Sequence, residues 1–125
     1  MGLRMSPTVT PNFGVEQERV DGQRFLVVAR GALDLFAAPA LKRRLLEAVE
    51  GGAREIVLDL SETAFLDSTA LGALLTAHRR LDGRGGRLTI VPGPATVMRV
   101  FHLTGLDSIL AIAPTRELAL GGSEN

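Results

Sequence analysis

The chain has 125 residues, no cysteine and a formal net charge of zero, and apolar residues make up 46% of it. This length suits one domain with a buried core, and the composition excludes a disulfide framework, a thiolate metal site and an intrinsically disordered chain. Balanced charge and few aromatic residues argue against a nucleic-acid binder, and no apolar run approaches the roughly 20 residues that span a bilayer.

The two ends of the sequence lack a regular apolar pattern. Residues 1–12 contain Ser, Thr and Pro and predict a flexible arm, and residues 121–125 predict a flexible tail. The first segment has no apolar core followed by a cleavage site, so we expect a cytoplasmic protein. The interval 13–120 is interpreted as one domain.

Strands and helices alternate along this interval. In chain order, the patterns predict strands over 15–20 and 25–30, a helix from Pro39 to Gly51, a strand over 56–60, a helix over 68–81, a turn over 83–86, a strand over 88–91, a helix over 94–103, a strand over 109–112 and a short helix over 115–120. Such alternation predicts an α/β fold with a mostly parallel sheet of about five strands and about four helices. The first two strands are too close in sequence for a helical crossover, so we expect an antiparallel hairpin at the edge.

The junction between the third strand and the second helix carries the main functional signal. Asp67 and Ser68 lie there, and both residue types cap helices by binding free amides of the first turn. The helix dipole favours an anion at this position, and open α/β sheets place their sites at the carboxyl edge. The simplest interpretation from these residues alone is that Ser68 only caps the helix.

The second helix has two predicted faces. The side expected to face the sheet carries Leu71, Leu74, Leu75, His78 and Leu81. The opposite side carries Thr69, Ala73, Thr76 and Arg80, with Gly72 on its flank. Small side chains there would let a partner approach closely, although an ordinary exposed face has the same pattern.

Three stretches, in matching order and spacing, resemble the STAS family, the sulfate-transporter and anti-sigma factor antagonist domains. They are Gly31–Asp34 with Ala38–Pro39, Asp67–Gly72 and Phe101–Asp107. The family pattern at the helix start is Asp-Ser-Ser/Thr-Gly-Leu-Gly, so Ala70 replaces a glycine, and Ala32 replaces the usual glutamate of the first stretch. The resemblance extends over roughly residues 15–120.

The resemblance implies a non-enzymatic anti-sigma factor antagonist. In such proteins the unphosphorylated form binds an anti-sigma factor that is a serine kinase of the GHKL type, and the sigma factor is released. Phosphorylation ends this binding, and a phosphatase restores it. Carried over by position, Ser68 is the phosphate acceptor, Thr69 is the less favoured acceptor, and Asp67 orients or assists Ser68.

The resemblance also implies a set of partner-binding residues, namely Asp34, Asp67, Ser68, Thr69, Gly72, Ala73 and Thr76. No metal, cofactor, nucleic acid or membrane is expected, and the expected oligomeric state is a monomer or a weak dimer. A non-phosphorylated STAS scaffold in a regulatory complex is the alternative within the family.

Three alternatives lie outside the family. A serine hydrolase needs a base, but His78 lies ten residues along the helix, about 15 Å from Ser68, and no Gly-x-Ser-x-Gly elbow occurs, although His102 stays open. A receiver domain needs a lysine after the last strand, and Lys42 is the only lysine, so Asp59 is interpreted as structural. The glycine-rich turn at 83–86 follows a helix, which is the wrong order for a phosphate loop.

Overall fold

Residues 13–121, which a computed structural model describes, form a mixed sheet of five strands with four helices. The strands are β1 (Phe13–Arg19), β2 (Arg24–Leu33), β3 (Glu55–Leu66), β4 (Arg87–Val91) and β5 (Ala111–Ile112). The helices are α1 (Ala38–Glu50), α2 (Ser68–Asp82), α3 (Ala95–Thr104) and α4 (Arg116–Ala119). The α/β class predicted from the alternating pattern is confirmed.

The strands lie in the order β1-β2-β3-β4-β5. β1 pairs antiparallel with β2, with Phe13 opposite Gly31, as the short connection predicts. The other neighbouring strands are parallel. Because each crossover advances by one strand in the same direction, right-handed connections place α1, α2 and α3 on one face of the sheet.

Alternating residues of the strands supply a core on each face of the sheet. Phe25, Val27 and Ala29 of β2 pack with buried residues of the first three helices. Leu26 and Val28 point to the other face. Within residues 13–121, that second face is covered by the segment that leads into α4 and by α4 itself, including Ala113, Ala119 and Leu120.

The third strand is longer than its apolar run predicts. β3 continues to Leu66 instead of ending at Leu60, and it stays paired with β2 through two register shifts. The Thr63 hydroxyl is buried along this extension and donates a 2.9 Å hydrogen bond to the Ala29 carbonyl. The apolar pattern missed the extension because Ser61 and Glu62 are exposed. As a result, the predicted loop between β3 and α2 shrinks to one residue.

The last strand is shorter than predicted. A 3-10 turn over Leu106–Ser108 is followed by hydrogen bonds from the amides of Ile109 and Leu110 to the Leu106 carbonyl. These bonds hold Ile109 outside the ladder with its side chain 53% exposed, so β5 begins at Ala111.

The predicted arm (residues 1–12) and most of the predicted tail (residues 122–125) lie outside the described residues. Within the described range, no helix is both long enough and apolar enough to cross a membrane.

Candidate functional site

Two connections meet at the carboxyl edge of the sheet. β2 and β3 end side by side, with Leu33 opposite Leu66. The Asp67 amide then donates a 3.2 Å hydrogen bond to the Leu33 carbonyl. The loop between β2 and α1 is therefore tied to the residue that precedes α2.

Asp67 is the cap of α2. Its backbone is extended, and its Oδ1 atom accepts hydrogen bonds from the amides of Thr69 (3.0 Å) and Ala70 (3.2 Å). The Thr69 hydroxyl donates a third hydrogen bond of 2.5 Å to the same oxygen. The Thr69 hydroxyl and the backbone amides of Thr69, Ala70 and Leu35 hold the pKa of Asp67 below its ordinary value.

Ser68 is the first residue of α2, and its side chain is exposed. Its hydroxyl makes no hydrogen bond to any other described residue, whereas the Thr69 hydroxyl is committed to Asp67. The interpretation of Ser68 as a helix cap is therefore wrong, because Asp67 performs that task. Among the described contacts, the Asp67 carboxylate reaches the two residues after Ser68 and not the Ser68 hydroxyl.

Ala70 fits its position without strain. It lies in the first turn of α2, its side chain is fully buried, and its amide takes part in the Asp67 cap. The positive-φ residues of the described chain are all glycines elsewhere in the fold. The replacement of the family's glycine therefore leaves the geometry of the helix start intact.

A shallow, open groove of about 540 Å³ runs between the first turns of α1 and α2. Its lining residues are Leu35, Ala38, Pro39, Lys42, Thr69, Gly72, Ala73 and Thr76. Four of the residues predicted to bind a partner thus lie together beside Ser68, and Lys42 supplies the positive charge of the groove.

The face of α2 that was predicted to be exposed is partly buried. Ala73 is only 4% exposed and belongs to the main core. α1 packs against α2, and Ala70, Ala73 and Ala77 form a row of small side chains at helical spacing that lets the two helices approach. Helical periodicity predicted which side of α2 faces the sheet. It could not show that α1 covers part of the adjacent side.

Gly72 and Thr76 remain on the accessible side of the groove. A Cβ atom added at Gly72 would meet nothing within 4 Å. The Thr76 hydroxyl donates a 3.0 Å hydrogen bond to the Gly72 carbonyl one turn earlier. Packing within the described domain therefore does not account for a glycine at this helical position.

Asp34 shapes the loop that faces α2. Its Oδ1 atom accepts hydrogen bonds from the amides of Phe36 (3.0 Å) and Ala37 (3.2 Å). The turn leaves Leu35 and Phe36 exposed by 58% and 76%. Sequence reasoning missed both residues. The available signal was a pair of large apolar residues between the turn residue Asp34 and the helix-starting Pro39.

Asp59 lies on the far side of the sheet and is buried. Its carboxylate accepts hydrogen bonds from the Arg116 guanidinium of α4 and from the Ser61 amide. Burial alone would raise the pKa of Asp59, but these bonds hold it below its ordinary value. Asp59 therefore anchors α4, in agreement with its structural interpretation, although it lies within β3 rather than at its end.

These features define a small α/β domain with a serine at the carboxyl edge of its sheet whose hydroxyl has no hydrogen-bond partner among residues 13–121. The family model of the STAS domain matches residues 15–119. The chain belongs to the STAS domain family.

Several similar proteins are named as anti-sigma factor antagonists. The anti-sigma-B factor antagonist of Bacillus subtilis (strain 168) is 30% identical over 106 residues, which cover 85% of this chain and 94% of that protein. A crystal structure of an anti-sigma factor antagonist from Mycobacterium paratuberculosis superposes with a TM-score of 0.80 at 30% identity and covers 93% of this chain and 98% of that one.

The fold is also similar to the unphosphorylated form of the anti-sigma factor antagonist SpoIIAA. The TM-score is 0.78 at 25% identity, with coverage of 89% of this chain and 96% of that one. A structure of SpoIIAA in its phosphorylated form has a TM-score of 0.70. These similar proteins are named for a regulatory role, that of an anti-sigma factor antagonist.

Proposed function

We propose that the chain is an anti-sigma factor antagonist that a serine kinase phosphorylates at Ser68. The observation that carries the proposal is the free, exposed Ser68 hydroxyl beside a helix cap that Asp67 already provides. Because Asp67 provides the cap, modification of Ser68 would leave the hydrogen bonds of the helix start in place. The names of the similar proteins support an anti-sigma factor as the partner.

Phosphate at Ser68 would act on the partner more than on the fold. It would add about −1.5 to −2 charge at the positive end of the α2 dipole, which favours it. The Asp67 carboxylate, however, already occupies the Thr69 and Ala70 amides and repels a second anion. The phosphate therefore stays outside the domain, where it would oppose a partner that fits a neutral hydroxyl.

The proposed contact surface comprises the first turns of α1 and α2 and the loop between β2 and α1. Its proposed partner-binding residues are Asp34, Asp67, Ser68, Thr69, Gly72, Ala73 and Thr76. Gly72 supports this assignment because a glycine inside a helix is costly and the domain does not need it there. Ala73 contributes as part of the groove floor rather than as an exposed side chain.

The proposed cycle takes place in the cytoplasm and involves two further proteins. An anti-sigma factor kinase of the GHKL type binds the unphosphorylated domain, releases its sigma factor and transfers phosphate to Ser68. A phosphatase then removes the phosphate. Thr69 is the less favoured acceptor because its hydroxyl donates to Asp67.

The test begins with a pull-down from the native cell extract, using the wild type, Ser68→Ala and Ser68→Asp. We expect the wild type and Ser68→Ala to retain a GHKL-type kinase and Ser68→Asp to lose it. The purified kinase and ATP should then phosphorylate the wild type at Ser68, as located by mass spectrometry, and Thr69→Val serves as the matched control for the acceptor.

Two outcomes would overturn the proposal. One is equal retention of the kinase by all three proteins, which would support a non-phosphorylated scaffold. The other is unfolding of Ser68→Asp in circular dichroism, since the exposed position of Ser68 predicts a stability change within about 1 kcal/mol.

A further inference from the structure

The loop between β2 and α1 presents two large apolar side chains to solvent. Phe36 is 76% exposed, the highest value among the large apolar side chains of residues 13–121, and Leu35 is 58% exposed. Single exposed apolar residues are common, but here Leu35 lines the groove beside α2 and Phe36 directly follows it in the chain. Clustered exposed apolar residues are a feature of binding surfaces.

Hydrogen bonds hold the backbone of this loop in the conformation that exposes both side chains. The Asp34 carboxylate accepts hydrogen bonds from the amides of Phe36 and Ala37, and the Asp34 carbonyl accepts from Ala37 (3.0 Å) and Ala38 (2.9 Å). Ala37 and Ala38 are buried immediately beyond the turn. A rigid loop loses little conformational entropy when a partner covers it.

The apolar pair is continuous with the surface around Ser68. Leu35 and Thr69 line the same groove, and Thr69 follows Ser68 directly. The hydrogen bond from the Asp67 amide to the Leu33 carbonyl holds the two connections together. A kinase that binds this groove while it reaches the Ser68 hydroxyl would therefore also contact Leu35.

We propose that Leu35 and Phe36 are the apolar anchors that the kinase of Ser68 binds in a complementary apolar pocket. This inference rests on the proposed function and adds to it the residues that determine the affinity of the domain for the kinase. A second copy of the chain is a poorer occupant, because a two-fold contact across this surface would place the carboxylates of Asp34 and Asp67 from both copies in one interface.

Asp34 acts as a positioning residue in this scheme. It holds Phe36 through hydrogen bonds that need an acceptor oxygen but no negative charge. We therefore expect Asp34→Ala to lower the affinity for the kinase more than Asp34→Asn does. An equal loss of affinity in the two variants would indicate instead that Asp34 acts through its charge and not by positioning Phe36.

The decisive experiment measures binding of the purified kinase to Phe36→Ser by isothermal titration calorimetry, together with the kinetics of Ser68 phosphorylation. Buried aromatic anchors dominate protein interfaces, so we expect Kd to rise about tenfold or more. The KM for the domain should rise as well, with kcat unchanged. The matched control is Leu103→Ser on α3, which removes a side chain that is 71% exposed away from the groove and should leave both constants unchanged.

The outcomes separate this inference from the function on which it rests. If the wild type binds the kinase and Phe36→Ser binds it equally well, the anchor proposal is wrong and the proposed function stands. If the wild type binds no such kinase, the proposed function itself fails. Sedimentation velocity adds one more outcome: a wild-type dimer that Phe36→Ser dissociates, with kinase affinity unchanged, would assign the pair to self-association and overturn the proposal.

Discussion

Asp59 and Asp67 belong to the same strand and its continuation, eight residues apart, and they are used in opposite ways. Both accept a hydrogen bond from the amide two residues later. Asp59 is buried on one face of the sheet and pairs with the Arg116 guanidinium. Asp67 lies at the carboxyl edge, and its described partners are neutral hydrogen-bond donors.

The difference shows how one residue type serves structure in one place and function in the other. The second carboxylate oxygen of Asp59 forms a long-range ion pair that holds α4 against the sheet. At Asp67 the carboxylate serves the local helix start, and this leaves the neighbouring Ser68 hydroxyl free. Substitutions at the buried Asp59–Arg116 pair are therefore expected to lower the stability of the domain strongly. Substitutions at the exposed Ser68 should change its stability little.

The largest expected effect in the comparison follows removal of the cation from Asp59. Arg116→Ala would leave a buried carboxylate without its charged partner, and we expect a loss of about 2–3 kcal/mol in the free energy of unfolding, measured by urea denaturation. The matched control is Arg99→Ala, which removes an exposed arginine of α3 and should change the free energy of unfolding by less than about 0.5 kcal/mol. Equal stability of both variants would show that the pair does not anchor α4.

The pH dependence of stability should distinguish loss of the Asp59–Arg116 ion pair from loss of packing by the aliphatic part of the Arg116 side chain. In the wild type the pKa of Asp59 is held below its ordinary value, so the pair contributes stability above that value and loses it as pH falls through the folded-state pKa. Without Arg116, only the bonds to Ser61 would oppose the effect of burial, so the pKa of Asp59 should be higher than in the wild type and its protonation should relieve the buried charge. The stability difference between wild type and Arg116→Ala should therefore shrink from pH 7 to pH 3, and a difference independent of pH would contradict this explanation.

A smaller effect is expected at the second aspartate. Asp67→Ala removes the cap of α2 and should cost about 1 kcal/mol in urea denaturation, while Asp67→Asn keeps the acceptor and should cost less. Asp82→Ala is the matched control, because it removes the same residue type from the carboxyl end of the same helix, where a negative charge is unfavourable. A loss of stability in Asp82→Ala as large as that in Asp67→Ala would contradict the cap assignment.

The sequence predicted the order of the elements but could not decide which of two neighbouring residues, Asp67 or Ser68, caps α2. Alternating patterns predicted the order of the elements, the edge hairpin and the start of α2 at Ser68. The choice of cap was undetermined because Asp and Ser both cap helices, and the extended backbone of residue 67 decides it. Asp67 and Thr69 are two residues apart, so their bond is local, whereas Asp59 and Arg116 are separated by 57 residues and only the fold brings them together.

Exposure of apolar residues was also beyond sequence reasoning. Leu35 and Phe36 are residue types that are usually buried in a core. They are exposed here because of the turn that Asp34 closes. Ala73 shows the reverse error, since its burial depends on where α1 packs. Local pattern predicts which residues share a face, but the packing of a second element decides whether that face is covered.

The smallest expected change in stability is that of Gly72→Ala, which should make the domain more stable but weaken its binding to the kinase. Gly72 lies inside α2 with open space where a Cβ atom would be, so Gly72→Ala should stabilise the domain by about 0.5–1 kcal/mol through helix propensity. If the glycine allows close approach of the kinase, the same variant should bind the kinase more weakly in calorimetry. Gly83→Ala, at the other end of α2, is the control for a general effect of added methyl groups. A Gly72→Ala variant that is stabilised and binds with unchanged affinity would show that the partner does not approach this turn, and would move the contact surface towards the β2–α1 loop.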